Sequence, residues 1–181
     1  RAYLSRASFT ACNWATTFGI LWVSDMISIF NKPRNYPRVY ESYSEQFNFY
    51  EGRVKWKDSI KDIPQPAIYL FSVHWLHLEV FNGGFWQYFY NSTSISYPEA
   101  MEGFDVIGMP EVTKIIAAAA VRVGNPFPFE NETRKEVVGP PNQRMDFNDL
   151  DAEFYALADT NKFFRREPKF VPFAEKYARN A

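Results

Sequence analysis

The run Ile68-Tyr69-Leu70-Phe71-Ser72-Val73-His74-Trp75-Leu76-His77-Leu78-Glu79-Val80-Phe81-Asn82-Gly83-Gly84-Phe85-Trp86-Gln87-Tyr88-Phe89-Tyr90-Asn91 decides the fold. Pro64 and Pro66 stand just ahead of it, where a first helical turn tolerates proline. Apolar side chains then spread around most of the helix circumference as far as Phe81, which marks a buried central helix. Asn82-Gly83-Gly84 ends it, because Asn and Gly readily enter the left-handed region at a helix end. A second apolar helix, Phe85 to about Tyr90, follows at once, so the two make a tight corner.

Outward from the corner, apolar residues recur mainly at helical spacing. Upstream, Ala15, Phe18, Trp22, Met26, Ile29 and Phe30 predict a first helix, ended by Asn31-Lys32-Pro33. Asn35 to Asp62 reads as helix, turn, helix, although Val54-Lys55-Trp56-Lys57 alternates like a short strand. Downstream, Pro98 opens a helix with Ala100, Met101, Phe104 and Ile107 inward and Gly108 at its end. Pro110 opens the next, with Val112, Ile115, Ile116, Ala119 and Val123 on one stripe and Gly124 as its stop. Phe127 to Arg144, broken by Pro128, Gly139, Pro140 and Pro141, reads as an irregular loop. Asn148 or Asp149 caps a helix carrying Leu150, Phe154, Leu157 and Ala158. Phe170, Phe173, Ala174 and Tyr177 mark the last. No repeat or linker interrupts the chain. The expectation is a single all-α domain over residues 1–181, with about seven or eight helices around a buried central one.

A chain of 181 residues suits one domain with a sizeable core. Twenty basic against 21 acidic residues leave a net charge of −1, which excludes a generally basic protein held to nucleic acid by bulk charge. An aromatic content of 19% excludes wholesale disorder. Cys12 is the single cysteine, so an intrachain disulfide and a cysteine-rich zinc site are both excluded. That agrees with a reducing cytoplasm, the expected location. Ala7–Ser24 is uncharged and follows Arg1 and Arg6 in the manner of a signal peptide. Thr10, Asn13, Thr16 and Thr17 dilute it, and no small-residue cleavage site follows, so export is not expected. No run of about 20 apolar residues predicts a membrane span.

Motifs that carry chemistry are scarce. His74 and His77 lie about 60° apart on the central helix and could share a ligand. Glu79 points away from them, and no Glu-x-x-His pair occurs, so the expectation is two hydrogen-bonded histidines in a core wall and no metal or other cofactor. No nucleophile elbow, Walker loop or dinucleotide glycine motif is present, so no catalytic residue and no enzymatic activity are expected. Glu79, Asn82 and Gln87 cluster at the corner and should hydrogen-bond exposed backbone and one another. Trp75, Trp86 and Tyr88 are the candidates for an aromatic pocket beside it, the basis of an alternative reading as a small-molecule binding module.

Charge is segregated. Glu99 to Glu111 holds four acidic residues and no basic one, and Asp146 to Asp159 holds five and none. Arg34 to Lys61 and the tail from Lys162 onward are net basic. Acidic runs near helix starts suit the helix dipole as solvated faces. They also offer a negative strip to a basic partner, with Glu99, Glu102, Asp105, Glu111, Asp146, Asp149, Asp151 and Glu153 as candidates. Arg53-Val54-Lys55-Trp56-Lys57 interleaves charge with an aromatic, yet it is too short and isolated to predict direct nucleic-acid binding.

The segment Glu79-Val80-Phe81-Asn82-Gly83-Gly84-Phe85-Trp86-Gln87-Tyr88-Phe89-Tyr90-Asn91 resembles the signature of a bacterial family of small helical proteins best known for a DNA mimic. Ile107-Gly108 and Leu150-Asp151-Ala152-Glu153-Phe154-Tyr155 continue the likeness, which spans roughly Ile63 to Tyr177. Sequences of this kind also occur as products of mobile (integron) gene cassettes. The resemblance implies an all-α homodimer whose fold is specified by Glu79, Asn82, Gly83, Gly84, Phe85 and Gln87. It further implies a protein partner, such as a transcriptional regulator, met through acidic surface, since carboxylates placed like phosphates compete with DNA for Lys and Arg. A net charge of −1 departs from that pattern, so any mimicry has to use a local strip.

Overall fold

A computed structural model of the chain describes residues 34–158 and 167–181. The first helix expected over Ala15–Phe30, Cys12, and the extension of a single domain to residue 1 lie outside the described residues. Arg34–Ala181 clusters as one compact unit.

The apolar run from Ile68 to Tyr90 becomes the axis of that unit. It lies in α3, Gln65–Tyr90, which follows two short helices, α1 (Arg38–Glu41) and α2 (Gly52–Ile60). The 3-10 segment Ser92–Ser96 leads into α4 (Tyr97–Val106) and α5 (Pro110–Val123). Then come α6 (Asn131–Val138), α7 (Asn148–Ala158) and α8 (Val171–Ala178). These are eight α-helices among the described residues, with no strand, so the all-α expectation holds. α3 packs against α1, α4, α6 and α7, and α5 packs against α4 and α7. Burial follows from this position: Leu70, Val73, Leu76, Val80, Phe85 and Phe89 on α3 are all fully enclosed.

α3 breaks where the glycines predict. Gly83 has φ −151° and ψ 24°, and Gly84 has φ 74° and ψ −178°, a region open essentially to glycine alone. The axis is therefore two helices meeting at a corner. Gly103 serves the packing beside it: a Cβ there would press on Val73 and the Tyr69 carbonyl, so its absence lets α4 lie close against α3.

The helix, turn, helix expected over Asn35–Asp62 is found as α1 and α2, and Val54-Lys55-Trp56-Lys57 lies within α2. Three local expectations are corrected. Phe127–Arg144 is not loop throughout, because α6 occupies Asn131–Val138. Its breakers flank the helix instead of interrupting it, and Glu130 caps it by accepting the Thr133 N–H at 2.6 Å. The helix shows no apolar stripe because its inward face consists of Arg134 and, one turn on, Val138. At the start of α7, the capping carboxylate is that of Asp146, which accepts the Asn148 N–H at 2.9 Å; Asn148 and Asp149 are already helical. Leu157 and Phe173, expected inward, are each 41% exposed.

Candidate functional site

The corner is held by two sets of side chains. Glu79, one turn before the break, accepts hydrogen bonds from Gln87 Nε2 (2.7 Å), Asn91 Nδ2 (2.8 Å) and Thr93 Oγ1 (3.1 Å). Asn82 Nδ2 donates to Gln87 Oε1 at 3.0 Å. One carboxylate thus ties the helix before the break to the helix after it and to the 3-10 turn beyond.

The second set comes from α7. Asp151 Oδ1 accepts the Phe85 N–H at 2.7 Å, the first amide after the two glycines. A carboxylate there caps the new helix and meets the positive end of its dipole. One turn on, the Tyr155 hydroxyl donates to the Val80 carbonyl at 2.6 Å. Asp151 and Tyr155 sit four residues apart, so they share a face of α7 and grip the two sides of the break together. Burial pushes the Asp151 carboxyl up, against the pull of the Phe85 amide.

Behind the corner lies a buried cation. Arg134 is wholly enclosed and donates to five oxygens: Phe89 O, Asn91 O, Pro128 O, Phe129 O and Asn131 Oδ1. Two of these carbonyls end α3, where backbone acceptors lack helical partners and a positive charge suits the dipole.

The acidic residues expected on a partner surface separate into two groups. Glu99 is only 3% exposed and belongs to the interior. Arg53 grips it with both terminal nitrogens (2.7 and 2.8 Å), and Lys57 Nζ (2.8 Å) and Trp56 Nε1 (3.2 Å) complete the clasp. These donors fall at i, i+3 and i+4 of α2, so the Arg53–Lys57 stretch is an internal clasp. Asp151 is half-buried and engaged with the Phe85 amide, as above. Asp149 is exposed but held bidentately by Arg122, at 2.6 and 2.7 Å, which keeps its carboxyl well below the usual range. Glu111 pairs with Lys114 at 2.9 Å. Glu102 accepts from the Tyr69 hydroxyl at 2.9 Å, and Asp105, Asp146 and Glu153 are exposed. The clasp escapes sequence reading because Arg53 and Glu99 lie 46 residues apart.

The Glu99 clasp makes stability depend on pH. Burial alone would raise its carboxyl, but Arg53 and Lys57 outweigh that and lower it. A depressed folded-state pKa gives stability that is complete above the unfolded value and lost as pH falls through the folded one. Wild type should therefore lose melting temperature as the pH falls below the ordinary glutamate value of about 4.3, in a way Glu99→Gln does not. Differential scanning fluorimetry at matched ionic strength reads this; parallel slopes for both proteins refute it. Asp151, pushed the other way, is common to both proteins and cancels.

The remaining candidates are engaged in packing and hydrogen bonds within the fold. His74 Nδ1 meets the Tyr36 hydroxyl at 2.9 Å, and burial, with His77 and Arg34 adding to it, pushes the ring down to about 3, so it stays neutral. His77 is buried beside Phe81 and Phe170. Among the described residues no group of His, Cys, Asp and Glu could hold a metal ion, and no helix is long and apolar enough to cross a membrane. Trp86 donates its indole N–H to Gly139 O at 3.0 Å and stacks on Tyr90, while Tyr88 is fully buried. Trp75 packs against Phe49 and Phe71. Two open clefts lie elsewhere. One, of about 570 Å³, has Met109, Val112, Leu157 and Phe173 in its lining, and the other, of about 420 Å³, has Tyr69, Met101, Glu102 and Asp105.

Residues 61–180 match the family model described as DMP19-like protein. The chain belongs to the DMP19-like protein family. No match is found among curated proteins or among solved structures. The matched span of this DMP19-like chain includes the corner and its α7 partners, and it begins after α2, whose Arg53 and Lys57 close on Glu99.

Proposed function

We propose that this DMP19-like protein works by binding another protein, without chemistry of its own, and that the partner presents a basic face of the kind used to hold DNA. Family membership over residues 61–180 is the observation that carries this reading. The surviving surface charge supports it. Glu102, Asp105 and Glu111 lie toward the first turn of α5, while Asp146 and Asp149 lie toward its last, beside Arg122; Glu153 is exposed one turn further along α7. Fourteen residues at 1.5 Å each separate the two patches by about 20 Å. With Glu99 internal, Asp151 engaged with the Phe85 amide, and Arg122 and Lys114 interspersed, mimicry would act through these local patches and not through a whole acidic face. A homodimer in the cytoplasm belongs to the same reading.

The test is affinity capture from a lysate of the native host, with elution by rising salt and by duplex DNA. Wild type should retain a DNA-binding protein that both salt and duplex release, because the contacts are charge-dominated. An Asp105→Lys/Glu153→Lys variant, altering one exposed carboxylate from each acidic run, should retain much less. Equal retention by wild type and variant, or a partner indifferent to duplex DNA, would overturn the proposal.

A further inference from the structure

The second cleft lies where α3, α4 and α5 meet. Tyr69, Met101, Val106 and Thr113 wall it, Glu102 and Asp105 rim it, and its volume is about 420 Å³. Its carboxylates are three residues apart on α4, about 60° round, so they share one face. Three other carboxylates of these acidic runs are met by a cation, Glu99 by Arg53 and Lys57, Glu111 by Lys114 and Asp149 by Arg122, whereas Asp146 and Glu153 on the α7 side are exposed without an ion pair among the described residues. No cation among the described residues is supplied here. Glu102 accepts only the Tyr69 hydroxyl, and Asp105 has no ionic partner. Two uncompensated carboxylates thus stand over an apolar wall that includes Val106, 44% exposed.

We propose that this cleft seats one arginine side chain of a protein partner. An arginine has an aliphatic stem to lie along Met101 and Val106 and a planar face to stack on Tyr69. Its forked donors can meet both carboxylates at once, which a lysine ammonium does less well. The inference rests on the protein-partner reading above and narrows it from a charged surface to one anchoring point.

The probe is a blocked tripeptide, acetyl-Gly-Arg-Gly-amide, titrated into the full chain while the methyl resonances of Met101, Val106 and Thr113 are followed. Saturable shifts at those methyls are expected. The citrulline counterpart, similar in shape but uncharged, should bind about fivefold more weakly or worse, as should the arginine peptide with Glu102→Gln/Asp105→Asn. Absent shifts, equal binding of the two peptides, or unchanged binding to the variant would each overturn the proposal. A change in the chain's own sedimentation in that variant would assign the cleft to a second copy and overturn it too. Capture of a host protein without tripeptide binding would remove the cleft and leave the charged-surface reading standing. Tripeptide binding without any captured partner would sink the broader reading, and with it the arginine's assignment to a partner protein.

Discussion

Gly84→Ala is expected to remove about 3–5 kcal/mol of folding stability, from two effects that can be measured apart. The first is backbone strain: φ 74° with ψ −178° costs a non-glycine residue about 1–3 kcal/mol. The second is displacement. A Cβ on Gly84 would occupy the space of the Asp151 carboxylate, which must then leave the Phe85 N–H it caps. Losing a charge-assisted hydrogen bond costs about 1.5–3 kcal/mol. A double-mutant cycle separates the two. With Asp151→Ala already in place, Gly84→Ala should cost only the strain, so the two substitutions should sum to less than additively. Urea denaturation followed by tryptophan fluorescence measures all four proteins. A single-mutant cost below about 1 kcal/mol, or strict additivity, would show that the corner does not depend on this contact.

Arg134→Met is expected to be at least as damaging, at about 3–5 kcal/mol, although it removes no salt bridge from the interior. Its enclosed guanidinium satisfies four backbone carbonyls and the Asn131 side chain, of which the Phe89 carbonyl is fully buried and the others half-buried. An apolar replacement fills much of the volume and leaves those acceptors without their donor, at about 1–3 kcal/mol for the buried one and less for those water can reach. Arg134→Lys keeps the charge but offers three donors from one point in place of five from a planar fork. It should recover only part of the loss. The same denaturation series reads the result. Full recovery by lysine would mean that charge at the end of α3, and not the fork, is what matters. Against a total stability of about 5–15 kcal/mol, either glycine or arginine substitution is large enough to unfold a marginal protein.

How much of this was legible in the sequence depends on how far apart the cooperating residues lie. The broken central helix was readable, because proline, the apolar circumference and Asn82-Gly83-Gly84 are local signals. So were α4 and α5, each opened by proline and carrying an inward stripe. The bonding of Asn82 to Gln87 and of Gln87 to Glu79 was also within reach, since these groups crowd a single corner. Helix α6 was hidden because an arginine and a single valine, Arg134 and Val138, do the work that an apolar stripe does elsewhere. Asp151 and Glu99 looked like surface carboxylates because their runs contain no basic residue. Their partners, the Phe85 amide and α2, come from distant parts of the chain, and no local pattern announces them. The acidic strip therefore divides in a way that residue spacing alone does not reveal.

The Arg53–Glu99 contact also bears on where this protein can be cut. Likeness to the family begins at residue 61, but Arg53, Trp56 and Lys57 reach across that line to a carboxylate 3% exposed. Asn35 and Tyr36 reach across it as well, donating their backbone amides to Glu175 near the other end of the chain. A fragment trimmed to the family boundary would keep Glu99 and lose the residues that neutralise it. The unit that inherits the family signature is thus smaller than the unit that folds, and residues 34–60 are a structural part of the second even though they lie outside the first.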